Sequence, residues 1–345
     1  MMPAPCVRGL GTALPEHAIG LHDAEAFARR RFAALPGLER LLPAFAHTGI
    51  AQRHLVRPLA WFESPRSFAE KNAVWAEGAV ELGTAAATQA LAHAELAHAD
   101  IAAIVWVTST GIATPSLDAA LVARLGLRRD VQRLPLWGLG CAGGAAGLAR
   151  AAALCRGLQR PVLLVAAEIC SATFVAADCS RRNLVATALF ADGAAAAVLA
   201  PQGPGPRILG GAAQLLPDSE DVMGWDLRDE GLQVRFARSI PALVQTMLPE
   251  FVTAALHGVQ RPREALRHFA LHPGGAKVLA AYQQCLGLDD EQLAPARAVL
   301  QRCGNMSSPT ALFVLQQLLA RGVSGLGVVV GLGPGFCAEA AVFEA

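Results

Sequence analysis

The chain has 345 residues, is 53% hydrophobic and 17% charged, and carries a formal net charge of +1. That length buries a large core and predicts two lobes or one large α/β unit. The near-neutral balance leaves no electrostatic footprint for nucleic acid or for an anionic membrane surface.

No apolar run reaches the roughly 20 residues of a membrane span. The first 21 residues lack the basic start and apolar segment of a signal peptide, so a cytoplasmic protein is expected. Cysteines 6, 141, 155, 170, 179, 285, 303 and 337 are scattered, with no CxxC pair. In a chain this long they predict reduced thiols, neither a disulfide framework nor a zinc site. The nine histidines form no HExxH, so no metal is expected.

In chain order, residues 7–14 read as an opening strand that turns at Pro15. Residues 23–45 read as helical, with a break near Pro36. The stretch 49–58 places Arg53 close to Arg57. On residue type alone the pair reads as solvated surface; the functional alternative is a phosphate clamp for a nucleotide-bearing substrate. Residues 73–97 form a long Ala-rich helix. Residues 100–108 (DIAAIVWVT) are a continuous apolar run, as in a strand buried on both faces. A loop with Thr114-Pro115 and a helix over 117–125 follow.

The next stretch, LWGLGCAGGAAGL at 136–148, ends a short apolar run in a Gly-flanked cysteine. Gly138 and Gly140 permit a sharp turn there. Gly143, Gly144 and Gly147 lower helix propensity, so close packing or a close ligand must want them. Cys141 then opens a helix, where free N–H groups and the dipole favour an anion and should lower a thiol pKa. The bland alternative is a buried, inert cysteine.

A helix to about residue 156 and a strand over 161–168 come next. Residues 185–199 hold a helix-turn-strand unit around Asp192-Gly193. Residues 201–206 (PQGPGP) carry three prolines and two glycines and mark the clearest boundary. They divide the chain into a half over 1–202 that carries Cys141 and a half over 203–345. In the second half, residues 207–232 contain strands and 241–256 a helix. A strand over 268–273 ends in His272, a helix spans 305–320, and a final apolar strand spans 327–331.

The halves share a grammar: strand, then strand-turn-polar residue-helix, then strand. LWGLGCAGGAAGLARAAALC and VLQRCGNMSSPTALFVLQQL correspond. A duplicated α/β fold follows, α-β-α-β-α layered halves about a pseudo-twofold axis, with Cys141 and Asn305 at related helix starts. Cys141, His272 of LHPGG and Asn305 of GNMSSPT each lie just beyond an expected strand. A thiolate needs an imidazole beside it, and a developing oxyanion needs fixed donors. Their joint appearance predicts one site at the foot of a tunnel.

With these motifs the sequence resembles the type III polyketide synthases, the chalcone-synthase-like branch of the thiolase-fold condensing enzymes. The resemblance covers nearly the whole chain. It rests on GLGCAGGAAGLARA at Cys141, LHPGG at His272, GNMSSPT at Asn305 and GLGPG at 331–335. Glu168-Ile169, Thr173-Phe174 and ALFADG at 188–193 add to it. It implies a thiolase-like homodimer with a catalytic Cys141, His272 and Asn305. Its substrates are malonyl-CoA and an acyl-CoA starter, with no metal or cofactor. Cys141 would take the starter, and His272 and Asn305 would hold the malonyl thioester while carbon dioxide leaves. Ring closure would give a pyrone, resorcinol or phloroglucinol type product.

The resemblance also implies that Phe190 guards the cavity entrance, with a second phenylalanine position near 234–236. Cys170, Thr173 and Ser307 would line the cavity, and Thr114 would reach into the partner subunit's cavity. Gly333 and Pro334 of the GLGPG loop belong with the substrate site, and Arg53 with the CoA phosphates. Cys170 and Thr114 depart from the plant residues and favour a bacterial-type member. The rival is a β-ketoacyl-ACP synthase III-like enzyme with the same fold; there a glutamine usually follows the histidine, where this chain has Pro273. A papain-like protease shares the order Cys, His, Asn but not the cysteine's context. A dead thiolase-like partner protein would have lost one of the three.

Overall fold

A computed structural model describes residues 3–345. The first half begins with strands β1 (Cys6–Ala13) and β2 (His17–Gly20) and helix α1 (Leu21–Arg31). Short helices α2 (Leu38–Leu41) and α3 (Pro43–Ala46), strand β3 (Gln52–Leu55) and the long helix α4 (Phe68–Ala94) follow. Then come β4 (Ala103–Thr108), α5 (Asp118–Arg124), β5 (Gln132–Trp137), α6 (Gly143–Leu158), β6 (Val162–Ile169), α7 (Arg181–Leu189) and β7 (Asp192–Ala200).

The second half holds β8 (Arg207–Leu215), the hairpin β9 (Met223–Arg228) and β10 (Gly231–Phe236), and α8 (Ile240–Gly258). It closes with β11 (Leu266–Leu271), α9 (Ala276–Leu286), α10 (Asp290–Cys303), α11 (Pro309–Leu319), β12 (Leu326–Gly333) and β13 (Cys337–Glu344).

Nine strands form one sheet in the order β11-β12-β13-β8-β1-β7-β6-β4-β5. Pairing repeats across it. In the first half β4 runs parallel to β6, β6 antiparallel to β7, and β7 antiparallel to β1. In the second, β11 runs parallel to β12, β12 antiparallel to β13, and β13 antiparallel to β8. The halves join at the Cys6–Arg207 pair of β1 and β8. Strands β4, β6 and β7 are buried along their whole length, as continuous apolar runs require. Helix α6 lies on this sheet and crosses α11. The small residues at its start have a packing reason: a Cβ on Gly144 would stand 2.2 Å from the Ser308 carbonyl oxygen.

One element departs from the sequence reading. The segment before Asn305 is not a strand but helix α10. Asp289 caps it and Gln292 completes a capping box, which outweighs the apolar look of its last turn. Asn305 keeps only an isolated parallel bridge to Phe190.

Candidate active site

Cys141 sits in a single tight turn over Gly140–Ala142, between β5 and α6. Gly140 has φ +46°, which a side chain would resist, and a Cβ there would stand 2.7 Å from Pro334 Cδ. The turn is held from below. Ser109 Oγ accepts from Gly140 N at 2.9 Å, and Glu168 accepts from Ser109 N at 2.8 Å.

Cys141 and Asn305 meet side chain to side chain, and the backbone around His272 ties it to both. Cys141 Sγ donates to Ser307 Oγ at 3.6 Å and lies 3.9 Å from Asn305 Oδ1. Asn305 Oδ1 also accepts from Ser307 N at 2.8 Å and so holds Ser307 at φ +59°. Asn305 Nδ2 donates to the Gly274 carbonyl at 3.3 Å, in the loop that follows His272. His272 hangs on β12 through its N–H to Val330 O at 2.9 Å. The next residue, Gly331, abuts the cysteine: a Cβ there would stand 2.6 Å from Cys141 O. His272 is buried, and both ring nitrogens lack a partner.

The electrostatics differ from the sequence expectation. Burial pushes the Cys141 thiol up to about 12, where a helix start was expected to lower it. Helix α6 begins only at Gly143, so desolvation dominates at the sulfur. Burial also pushes His272 down to about 3. At rest Cys141 is therefore a thiol and His272 a neutral imidazole, with a free ring N–H as donor.

Sequence reasoning missed one member. Glu168 belongs to a matching motif but not to the expected site residues. It is fully buried and gathers donors from Ser109 N, Thr110 Oγ1 and Ser308 Oγ, each at 2.8 Å. Burial raises it to about 7. A glutamate within an otherwise apolar strand was the available signal.

Beside the three lies a narrow cavity of about 70 Å³, lined by Cys170, Thr173, Phe190, Arg53 and Val234 among mostly apolar neighbours such as Phe27, Phe62 and Phe174. It adjoins a surface groove of about 510 Å³ at Ile19 and Leu59. Cys141, His272 and Asn305 do not line the cavity. Phe190 connects the two places: its side chain lines the cavity and its backbone bridges to Asn305. Its ring lies 5.6 Å from that of Phe236 and 6.3 Å from that of Trp225. In the stretch 234–236, Phe236 packs against the Phe190 ring and Val234 lines the cavity.

Other expected residues sit elsewhere. Gly333 and Pro334 do not line the cavity; they back the cysteine turn, since a Cβ on Gly333 would stand 2.2 Å from Leu139 O. Thr114 is exposed on a loop away from it. Arg53 is not on the surface. Strand β3 alternates, so Arg53 shares the inward face with Leu55 and is 3% exposed, which removes it from any solvent-facing phosphate clamp. Arg57 faces outward and pairs with Glu77 at 2.5 Å.

Comparisons with known proteins fit this geometry. Residues 57–204 match the family model of the chalcone and stilbene synthase N-terminal domain, and residues 208–345 that of the C-terminal domain. The chain belongs to the chalcone and stilbene synthase family. It is 38% identical to a 1,3,6,8-tetrahydroxynaphthalene synthase of Streptomyces peucetius subsp. caesius, over 96% of this chain and 91% of the relative. The crystal structure of 1,3,6,8-tetrahydroxynaphthalene synthase from Streptomyces coelicolor A3(2), a bacterial type III polyketide synthase, matches with a TM-score of 0.93. Identity there is 30%, covering 99% of each chain. The crystal structure of CsyB complexed with CoA-SH matches with a TM-score of 0.92 at 26% identity, again over 99% of each chain. The family sets the chain among the type III polyketide synthases, which are acyltransferases of thiolase-like fold, and not among the β-ketoacyl-ACP synthase III enzymes.

Proposed function

We propose that this polyketide synthase loads an acyl-CoA starter on Cys141, extends it with malonyl-CoA by decarboxylative Claisen condensation, and releases a cyclised product. The observation that carries this is a buried thiol with the Asn305 amide 3.9 Å away, backed by the buried, unpartnered His272 ring on the loop that Asn305 Nδ2 grips. In loading, Sγ attacks the starter carbonyl as its proton moves by way of His272 to the leaving CoA sulfur, so that CoA departs as its thiol. In extension, malonyl-CoA loses carbon dioxide. The C–C electron pair moves onto the thioester oxygen, which His272 N–H and Asn305 Nδ2 hold. The enolate carbon then attacks the acyl-cysteine carbonyl, and the C–S bond breaks to return the thiolate.

The shift of His272 supports this division. Burial disfavours the imidazolium, so the resting His272 ring is neutral and has an N–H available to the enolate oxygen. No metal is needed, because the departing carbon dioxide leaves the electron pair behind.

The active unit is a homodimer in this reading. Strand β5 is the open edge of the sheet and mostly exposed, and Trp137, Leu134 and Ile112 beside it are apolar and exposed. Thr114 lies in the same region, outside its own cavity, where it can serve a partner's. The free cysteines favour a cytoplasmic setting. The deciding experiment is incubation with malonyl-CoA and a panel of acyl-CoA starters, with products read by mass spectrometry. Chain extension from at least one starter is expected; malonyl-CoA left intact with every starter would refute the assignment.

A further inference from the structure

Among the described residues, Arg53 alone leaves two guanidinium nitrogens buried without a partner. Its Nη1 donates to the Thr187 carbonyl; Nε and Nη2 donate to nothing. Those two N–H groups share one edge of the guanidinium plane, the edge that grips both oxygens of a carboxylate. This chain uses it so at two other places. Arg133 presents Nε and Nη2 to the two oxygens of Asp118, and Arg128 presents the same pair to Asp130. At Arg53 the edge is open.

A buried cation without a counter-ion is costly, so its retention calls for a reason. No carboxylate side chain supplies one: burial alone acts on Arg53, pushing it down to about 10 and leaving it charged at neutral pH. Its place gives the reason. Arg53 lines the cavity with Cys170, Thr173 and Phe190. Its Cβ also lies 3.4 Å from where a Cβ on Gly304 would stand, next to Asn305. The amides that share the cavity are already engaged, Asn183 with the Val175 and Asp178 carbonyls and Gln233 with the Asp178 carboxylate.

We propose that Arg53 is an anion subsite of the acyl cavity, whose open Nε–Nη2 edge takes a planar two-oxygen anion carried by the acyl chain. Two sources share that chemistry: the terminal carboxylate of a short dicarboxylic acyl starter, and the enolate of a 1,3-diketone formed by extension. A neutral alkyl or aryl starter leaves the edge unpaired until extension supplies such an enolate. The inference rests on the polyketide synthase reading of Cys141.

The test compares adipoyl-CoA with hexanoyl-CoA, six-carbon starters that differ in one carboxylate, each with malonyl-CoA. The wild type is assayed beside Arg53→Gln and Arg53→Lys. If the source is the starter, the wild type favours adipoyl-CoA in kcat/KM by about tenfold or more. Arg53→Gln then brings the ratio near one, and Arg53→Lys, with charge but no fork, falls between. If the source is the enolate, the wild-type ratio lies near one and Arg53→Gln shortens products by one extension or more from both starters. A wild-type ratio and product length that Arg53→Gln leaves unchanged overturn the proposal. Should Arg53→Gln fail to fold, Arg53→Lys decides by the same two readouts. Malonyl-CoA untouched by the wild type sinks the synthase reading itself, a result distinct from either of these.

Discussion

The two halves deliver their polar residues to the site by different routes. In the first half, strand β5 runs into a single tight turn, and the turn throws up Cys141 ahead of α6. In the second, helix α10 ends at Gly304, with φ +72°, and Asn305 follows ahead of α11. The strands beneath pair in the same pattern, so the duplicated frame fixes where both residues lie. The lead-in fixes what each can do. The turn over Gly140–Ala142 buries a thiol against its neighbours, while the bridge to Phe190 holds an amide rigid with one N–H still free. A common frame places the groups; local irregularity specialises them.

That difference predicts separable functions. Cys141→Ala should abolish chain extension yet keep malonyl-CoA decarboxylation, since the enolate donors remain. Asn305→Ala should slow decarboxylation by about 10²–10³-fold, the usual cost of one oxyanion donor. Both are read by carbon dioxide release and product mass spectrometry at unchanged melting temperature. Polyketide from Cys141→Ala, or undiminished decarboxylation by Asn305→Ala, would break the division between the halves.

Much of this was legible in the sequence, for physical reasons. Strands β4, β6 and β12 announce themselves because burial on both faces demands unbroken apolar runs. The glycines around Cys141 announce close packing because nothing local favours them. What escaped depended on context. The last turn of α10, VLQRC, is as apolar as a strand, and only the capping box at Asp289 and Gln292 marks it as helix. Arg53 resembles any surface arginine until its alternation with Leu55 is noticed, and its burial follows from packing that no short window contains. The sign of the Cys141 shift escaped too. A helix start favours a thiolate, but the depth of burial decides, and depth is a property of the whole fold.

A second prediction sharpens the contrast through pH. Burial holds His272 at about 3, against an ordinary value of 6.5. Between those values the unfolded chain binds a proton that the folded chain refuses, so stability falls as pH drops from 6.5 towards 3. His272→Gln removes that proton site. The variant should lose less stability than the wild type between pH 7 and pH 4, by roughly 1–3 kcal/mol, in urea titrations at the two values. Parallel losses would mean that the imidazole is solvated after all.

The smallest expected effect lies where the halves touch. Ser308, at the start of α11, donates to Glu168 Oε1 at 2.8 Å on β6, while the other donors gather on Oε2. Ser308→Ala leaves Oε1 buried and unpaired. A protonated carboxyl tolerates this better than a carboxylate, because only the charged form needs the donor. Burial already raises Glu168 to about 7 from an ordinary value of 4.5, so folding takes up a proton between those values and stability declines as pH rises through them. Losing Ser308 raises it further. The variant should therefore cost about 1–2 kcal/mol at pH 8 and less at pH 5, measured by denaturant unfolding. An equal cost at both pH values would show that the hydroxyl contributes packing rather than charge stabilisation. The Ser308 side chain would then add only to the close fit that its carbonyl makes with Gly144 where α6 meets α11.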